Sequence, residues 1–133
     1  MIKSISVKNY ILIDELEVEF DSALNVITGE TGAGKSILIN AIDIVLGGKA
    51  SKDVIKTSSD KATIEICVDL INKIALELLK INEIDVDNNE VVISREITNS
   101  SSKYRINGVL VNQNLIKELR NYIVDIHSQH QSY

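Results

Sequence analysis

The chain has 133 residues, of which 44% are hydrophobic and 4% aromatic. This length allows one compact domain that buries about two thirds of its unfolded surface, with a core built mainly from Ile, Leu and Val. A net charge of -5 argues against nucleic-acid binding through positive charge spread over the whole chain. The single cysteine, Cys67, excludes an intramolecular disulfide. The sequence shows neither a leader-type segment nor an apolar run of membrane length, so we expect a cytoplasmic protein.

The N-terminal part predicts three strands, a loop and a buried helix. Apolar and polar residues alternate over 2–7 and again over 16–20, as in strands with one wet face. A short apolar run over 24–28 ends at a glycine and predicts a further strand. After a polar, glycine-rich stretch, an aliphatic block over 37–46 predicts a buried helix, for which Gly47-Gly48 is the stop signal.

The C-terminal part predicts strands and two amphipathic helices. The polar, lysine-containing stretch over 49–61 indicates a surface connection, and alternation over 62–70 predicts a strand. Helical spacing of apolar residues predicts a short helix over 73–81. Two more strand patterns follow over 91–98 and 104–111, the second folded about Asn107-Gly108, which is a strong hairpin signal. Asn112 is the expected cap of a last helix, before a final apolar run over 123–126.

Residues 29–36 match the P-loop pattern, in which two glycines bracket four residues and are followed by Lys and Ser. The glycines let backbone N–H groups turn inward around phosphates, and the next helix directs its positive end at the same anion. Lys35 supplies a point charge, and Ser36 places its hydroxyl on Mg²⁺. A dinucleotide fingerprint would need a third glycine, so a Rossmann site is excluded. The predicted loop consists of Gly29, Glu30, Thr31, Gly32, Ala33, Gly34, Lys35 and Ser36.

Several polar residues near strand ends are further candidates. Asp69 and Asp125 each follow an apolar run and could hold Mg²⁺ through water, but neither is followed by Glu, and we favour ordinary strand-end carboxylates. His127 and His130 have the spacing of a metal-binding pair without a third ligand nearby, so polar residues at the edge of a site are the better interpretation. Gln129 lies between them, and a glutamine beside a triphosphate can bond both the metal ion and an attacking water.

Four stretches, in this order and spacing, resemble the RecN family of bacterial DNA-repair ATPases, whose wider relatives are the SMC-like ABC ATPases. The P-loop alone would identify only a large superfamily, whereas the pattern Ile-His-x-Gln-His-Gln is close to diagnostic for this family. The resemblance covers essentially the whole chain. The four stretches are residues 25–36, Leu46-Gly47-Gly48, Ile106-Asn107-Gly108 and residues 125–131.

The resemblance implies an α/β P-loop NTPase fold, namely the N-terminal lobe of an SMC/RecN-type ABC ATPase head with a mixed sheet and a Walker A helix. It implies ATP and Mg²⁺ as cofactors, with residues 29–36 as the Walker A loop. Gln129, or else Gln131, takes the Q-loop position, where it contacts Mg²⁺ together with Ser36 and serves catalysis. Relatives often carry arginines where this chain has Lys49 and Lys56, and Lys lacks the planar fork that an arginine finger uses.

The resemblance also implies partners outside these residues. In the family, a C-terminal lobe beyond a long coiled coil carries the signature motif, the Walker B Asp with its adjacent Glu, the D-loop and the switch His. We therefore expect residues 1–133 to be a single, incomplete lobe. In the full-length protein it would pair with the C-terminal lobe and with the second head of a homodimer, and it would associate with DNA and so with the nucleoid.

Three functions compete at this point. The first is the ATP-binding half of an ATPase for double-strand-break repair, which alone would bind ATP but barely hydrolyse it. The second is a small self-contained P-loop phosphotransferase or GTPase that uses Asp69 or Asp125 for Mg²⁺, although the chain leaves little room for a second substrate site and a lid. The third is a non-catalytic module that only holds nucleotide or docks on a partner.

Overall fold

The computed structural model of the chain describes residues 1–20 and 32–123, and it confirms the α/β class. None of the helices in these two ranges is long and apolar enough to cross a membrane. In chain order the elements are β1 (Ile2–Tyr10), β2 (Ile13–Glu19), α1 (Gly32–Val45), a 3₁₀ turn (Lys52–Val54), β3 (Lys61–Asp69), α2 (Lys73–Ile81), β4 (Glu90–Thr98), β5 (Ser102–Ile106), β6 (Val109–Val111) and α3 (Gln113–Ile123).

The described strands form one sheet in the order β2-β1-β3-β4-β5-β6. Every pairing in it is antiparallel, and β3 and β4 are aligned over their full length from Lys61 opposite Thr98 to Asp69 opposite Glu90. The strand predicted over 24–28 and most of the apolar run over 123–126 lie outside the described residues. The mixed sheet expected for this fold therefore stays a prediction, while the antiparallel part is established.

One face of the sheet carries the core. Because successive side chains of a strand point to opposite faces, alternate residues of β3 and β4 are buried. Helix α1 packs against these two strands and shares their hydrophobic core. The buried residues of the two strands are Ala62, Ile64, Ile66, Val68, Val91, Ile93, Arg95 and Ile97.

The connection after α1 is tied to the turn between β1 and β2. It lies on the surface as predicted, but Val54 and Ile55 are partly buried and pack against the core. The backbone N–H of Ile11 donates to the carbonyl of Val54, and the N–H of Lys56 donates to that of Asn9. This segment is therefore a strap across the end of β1 rather than a free loop.

The predicted turn and cap residues have the expected roles. Asn112 caps α3 by accepting a hydrogen bond from the N–H of Leu115, and the β5–β6 hairpin turns at Asn107 and Gly108, both with positive φ. The side chain of Asn107 does more than permit the turn. Its Oδ1 accepts from the N–H of Val92 at 2.8 Å, and its Nδ2 donates to the carbonyl of Asp85 at 2.9 Å.

Replacing Asn107 should therefore destabilise the sheet. In Asn107→Ala, the N–H of Val92 and the carbonyl of Asp85 lose their partner, and Ala is strained at a φ of 48°. We expect the free energy of unfolding, measured by urea denaturation, to fall by about 1–3 kcal/mol. Asn99→Ala is the control, because Asn99 is exposed in the β4–β5 turn. Equal stability of the two variants would contradict the bridging role of Asn107.

Candidate nucleotide-binding site

The P-loop pattern runs into the start of α1. The helix begins at Gly32, whereas the sequence predicted helix only from residue 37, so residues 32–35 form its first turn. The first four N–H groups of a helix have no partner within it and are available to an anion at the helix start. The predicted site residues Gly29, Glu30 and Thr31 lie outside the described residues.

Ser36 is exposed near the start of α1, so its hydroxyl is accessible to a metal ion that enters from solvent. Within the two described ranges, no group of three or more His, Cys, Asp or Glu side chains lies together. A hydroxyl of this kind suits Mg²⁺, which prefers oxygen ligands and retains several waters beside substrate phosphates. The position of Ser36 is thus compatible with the predicted role in metal binding.

Beyond its first turn, α1 is fixed by an apolar stripe. Leu38, Ala41, Ile42 and Val45 are all buried, at the i, i+3, i+4, i+7 spacing of one helix face. This face meets β3 and β4. Burial of each large apolar side chain contributes about 1.5–3 kcal/mol, so the stripe anchors the helix on the sheet.

The C-terminal end of α1 is a Schellman turn built on two glycines. The N–H of Gly48 donates to the carbonyl of Asp43 at 2.8 Å, and the N–H of Gly47 donates to that of Ile44 at 3.2 Å. Gly47 has a φ of 99°, in the left-handed region that favours glycine. A Cβ on Gly48 would lie 2.7 Å from the carbonyl oxygen of Asp43. The predicted stop signal is therefore a specific helix-ending structure.

Arg95 of β4 binds the same helix end from the core. Its side chain is buried, with 6% of the residue exposed, and Nη1 donates to the carbonyls of Ile44 at 2.8 Å and of Gly48 at 2.7 Å. Nε donates to the hydroxyl of Ser102 at 2.6 Å, and the guanidinium lies 4.7 Å from the ring centre of Tyr104. Burial lowers the pKa of Arg95, but an arginine remains charged in a protein. A positive charge at this position also interacts favourably with the negative, C-terminal end of the helix dipole.

Helix α3 completes the contact from the other side. Nη1 of Arg120 donates to the carbonyls of Asp43 and Leu46, and Nη2 pairs with the carboxylate of Asp43. Nε2 of Gln113 donates to the carbonyl of Gly47 at 3.2 Å. We call Arg95, Gln113 and Arg120 the carbonyl clamp, because together they donate to five carbonyl oxygens at the end of α1, namely those of Asp43, Ile44, Leu46, Gly47 and Gly48.

The carbonyl clamp was not among the predicted site residues, although the sequence contains one signal for it. Arg95 falls on the same alternation as Val91, Ile93 and Ile97, so it faces the core in the predicted strand. A charged residue at such a position must find partners, because an unpaired buried charge is strongly destabilising. The partners themselves depend on where α1 ends over the sheet, which the sequence pattern does not give.

The remaining candidates are distributed as follows. Asp69 is exposed at the end of β3, on the face opposite the buried row and α1, which supports the interpretation as an ordinary strand-end carboxylate. Lys49 is exposed, and Nζ of Lys56 lies 3.2 Å from the carboxylate of Asp14. The other candidates lie outside the described residues: Asp125, His127, Gln129, His130 and Gln131.

Comparison with known proteins assigns the class. The family model described as AAA domain matches residues 4–132, and the chain belongs to this family. It is also similar to DNA repair protein RecN. The identity is 44% over 129 residues with the Rickettsia prowazekii (strain Madrid E) protein and 39% over 132 residues with that of Bacillus subtilis (strain 168), covering 97% and 98% of this chain. The predicted resemblance is confirmed, and the chain spans 23% of the length of each of these two relatives.

Solved structures confirm the predicted fold. An SMC ATPase, from work on ATP-driven dimerisation and DNA-stimulated activation, superposes with a TM-score of 0.70 at 22% identity, over 91% of this chain and 78% of that one. The recombination mediator RecF with ATP gives 0.56 at 18% identity, over 84% and 27%. The chain thus has the fold of an SMC-like ATPase head lobe.

The glycine at the end of α1 provides a test of this helix-ending structure. Gly48→Ala should lower the free energy of unfolding by about 1–3 kcal/mol, because its Cβ would press on the Asp43 carbonyl, which belongs to the last turn of α1. The measurement is chemical denaturation of both proteins. Gly48 does not have a positive φ, so the expected loss comes from the contact of the added Cβ with Asp43 and not from backbone strain. Full stability of Gly48→Ala would contradict the packing described here.

Proposed function

We propose that the chain is the ATP-binding lobe of a RecN-like ATPase that acts in recombinational repair of DNA double-strand breaks. The observation that supports this most directly is that residues 32–36 of the P-loop pattern begin the buried helix α1, in a chain 44% identical to a RecN protein. In the full-length protein, its partners would be the C-terminal lobe, a second head and DNA. Its location would be the cytoplasm, at the nucleoid when it acts on DNA.

In this proposal, the residues of the P-loop bind different parts of ATP and its metal ion. Backbone N–H groups at the start of α1 have no partner within the helix and would hold phosphate oxygens, and Lys35 would add a charge that neutralises them. Ser36 would hold Mg²⁺, which when bound neutralises charge on the β- and γ-phosphates. Gln129 is the candidate to orient the attacking water. The helix itself contributes a positive dipole end at the phosphates.

The self-contained phosphotransferase or GTPase is not favoured. Of its two candidate metal carboxylates, Asp69 lies on the face of the sheet away from α1. The two relatives described above, at 44% and 39% identity, are RecN proteins rather than small transferases. A non-catalytic nucleotide module shares the binding site with the leading proposal, and turnover by the full-length protein would separate the two.

Nucleotide binding should depend on Lys35 and Ser36 in different ways. Lys35→Ala removes a charge-assisted contact, so the affinity for ATP should fall about ten- to hundredfold. Ser36→Ala loosens Mg²⁺, so its effect should appear with Mg²⁺ present and vanish in excess chelator. Titration with a fluorescent ATP analogue measures both. ATP should also bind more tightly than AMP.

Lys80→Ala is the matched control for this titration. It removes one lysine from helix α2, where the side chain is exposed, and should leave ATP affinity unchanged. If Lys35→Ala binds ATP as tightly as Lys80→Ala does, the P-loop assignment is wrong.

Turnover by the 133 residues alone should be near background. They supply Lys35, Ser36 and the candidate Gln129, but neither Asp69 nor Asp125 is followed by a Glu that could activate water. Removal of one well-placed electrostatic donor commonly lowers a rate about 10²- to 10³-fold. Phosphate release by the parent chain should therefore match that of Lys35→Ala. Robust turnover that requires Lys35 would favour the self-contained enzyme instead.

A further inference from the structure

The carbonyl clamp joins three elements at one helix end. Arg95 comes from β4, whereas Gln113 and Arg120 come from α3, and all of them donate to carbonyls at the C-terminal end of α1. The opposite end of the same helix begins with residues 32–36 of the P-loop pattern. The clamp therefore acts on the element that carries the phosphate-binding residues, although it lies at its far end.

Stability alone is a weak explanation for Arg95. A buried ion or ion pair often contributes no more than well-packed apolar residues of similar volume, because desolvation opposes the electrostatic gain. Arg95 occupies a core-facing position between Ile93 and Ile97, where an apolar residue would continue the pattern. What an apolar residue could not do is bond the carbonyls of Ile44 and Gly48 together, and so fix the helix end relative to the strand.

The geometry points to Arg95 and Arg120 as positioning residues of the nucleotide site, which hold α1 in the orientation that places the phosphate loop. This inference rests on the proposed function. The 14 residues of α1 form a rod about 21 Å long at 1.5 Å per residue, so a small tilt at its C-terminal end displaces its N-terminal amides. Catalytic and binding geometry is sensitive to displacements of about 1 Å.

Arg120 gives the clamp a second consequence. It lies on α3, and α3 ends at Ile123, six residues before Gln129 in the sequence. One side chain of α3 thus bonds the end of α1, and α3 leads into the segment that contains the candidate Q-loop glutamine. Arg95 holds α1 to the sheet, and Arg120 holds it to the helix that leads towards Gln129.

Arginine-to-lysine variants test this role without a change in charge. Arg95→Lys and Arg120→Lys keep the cation but lose the planar fork that bonds several acceptors at once. Arg105→Lys is the matched control, because Arg105 lies on β5, pairs with Glu96 at 3.8 Å and contacts none of the α1 carbonyls. ATP affinity is measured on the purified chain at a temperature where circular dichroism shows each variant folded, and the melting temperature is measured separately.

The expected result is a rise in the Kd for ATP of about five- to twentyfold for Arg95→Lys and Arg120→Lys, with Arg105→Lys within about twofold of the parent. A purely structural role predicts a lower melting temperature and an unchanged Kd in the folded protein. That outcome would overturn the inference while leaving the proposed function intact, provided that Lys35→Ala still lowers the affinity for ATP. A parent chain that fails to bind ATP would overturn both.

A further variant covers the case in which a lysine variant does not fold. Gln113→Ala removes the bond to the carbonyl of Gly47 and leaves both arginines in place. It should raise the Kd for ATP by roughly threefold, in line with the smaller effect of one neutral hydrogen bond. An unchanged Kd in folded Gln113→Ala would count against the clamp.

Discussion

The carbonyl groups at the end of α1 impose the constraint on which much of the described structure depends. The last carbonyls of a helix have no partner within it, and buried polar groups must be hydrogen-bonded. Because α1 ends at the buried residues Val45 and Leu46, water cannot supply all of the missing donors. The glycines after the helix donate to two of these carbonyls from the backbone, and the carbonyl clamp donates from β4 and α3 to five carbonyls at this end.

This constraint links the two sides of α1. The sheet face fixes the helix through apolar burial, which is non-directional and would tolerate sliding or rotation. The hydrogen bonds of Arg95 and Arg120 are directional and bond particular carbonyls, so they select one position among those that burial would allow. Burial therefore contributes most of the stability, while the clamp contributes the registration between the helix and its neighbours.

The sequence predicted the elements that depend on local periodicity and failed where tertiary contacts decide. The strands predicted over 62–70 and 91–98 and the helix over 73–81 are found within one residue of their predicted bounds, because alternation and helical spacing are local signals. The start of α1 was placed five residues late, since glycines disfavour helix interiors and resemble loop sequence. To predict the role of Arg95, one would need to know where the end of α1 lies along β4, and local sequence patterns do not give this.

The stretches that carry the family resemblance are of two physical kinds. The P-loop pattern and residues 125–131 are the stretches to which the proposed function assigns nucleotide binding. Gly47-Gly48 instead ends α1, and Asn107-Gly108 forms the β5–β6 turn, where Asn107 also bonds to β4. The two kinds depend on each other. In the proposed function, the amides at the start of α1 bind phosphate, so their position depends on that of the helix, whose C-terminal end is bonded by the two glycines and the carbonyl clamp. The residues that carry the family resemblance therefore include those that position the elements around the proposed site as well as those proposed to bind nucleotide.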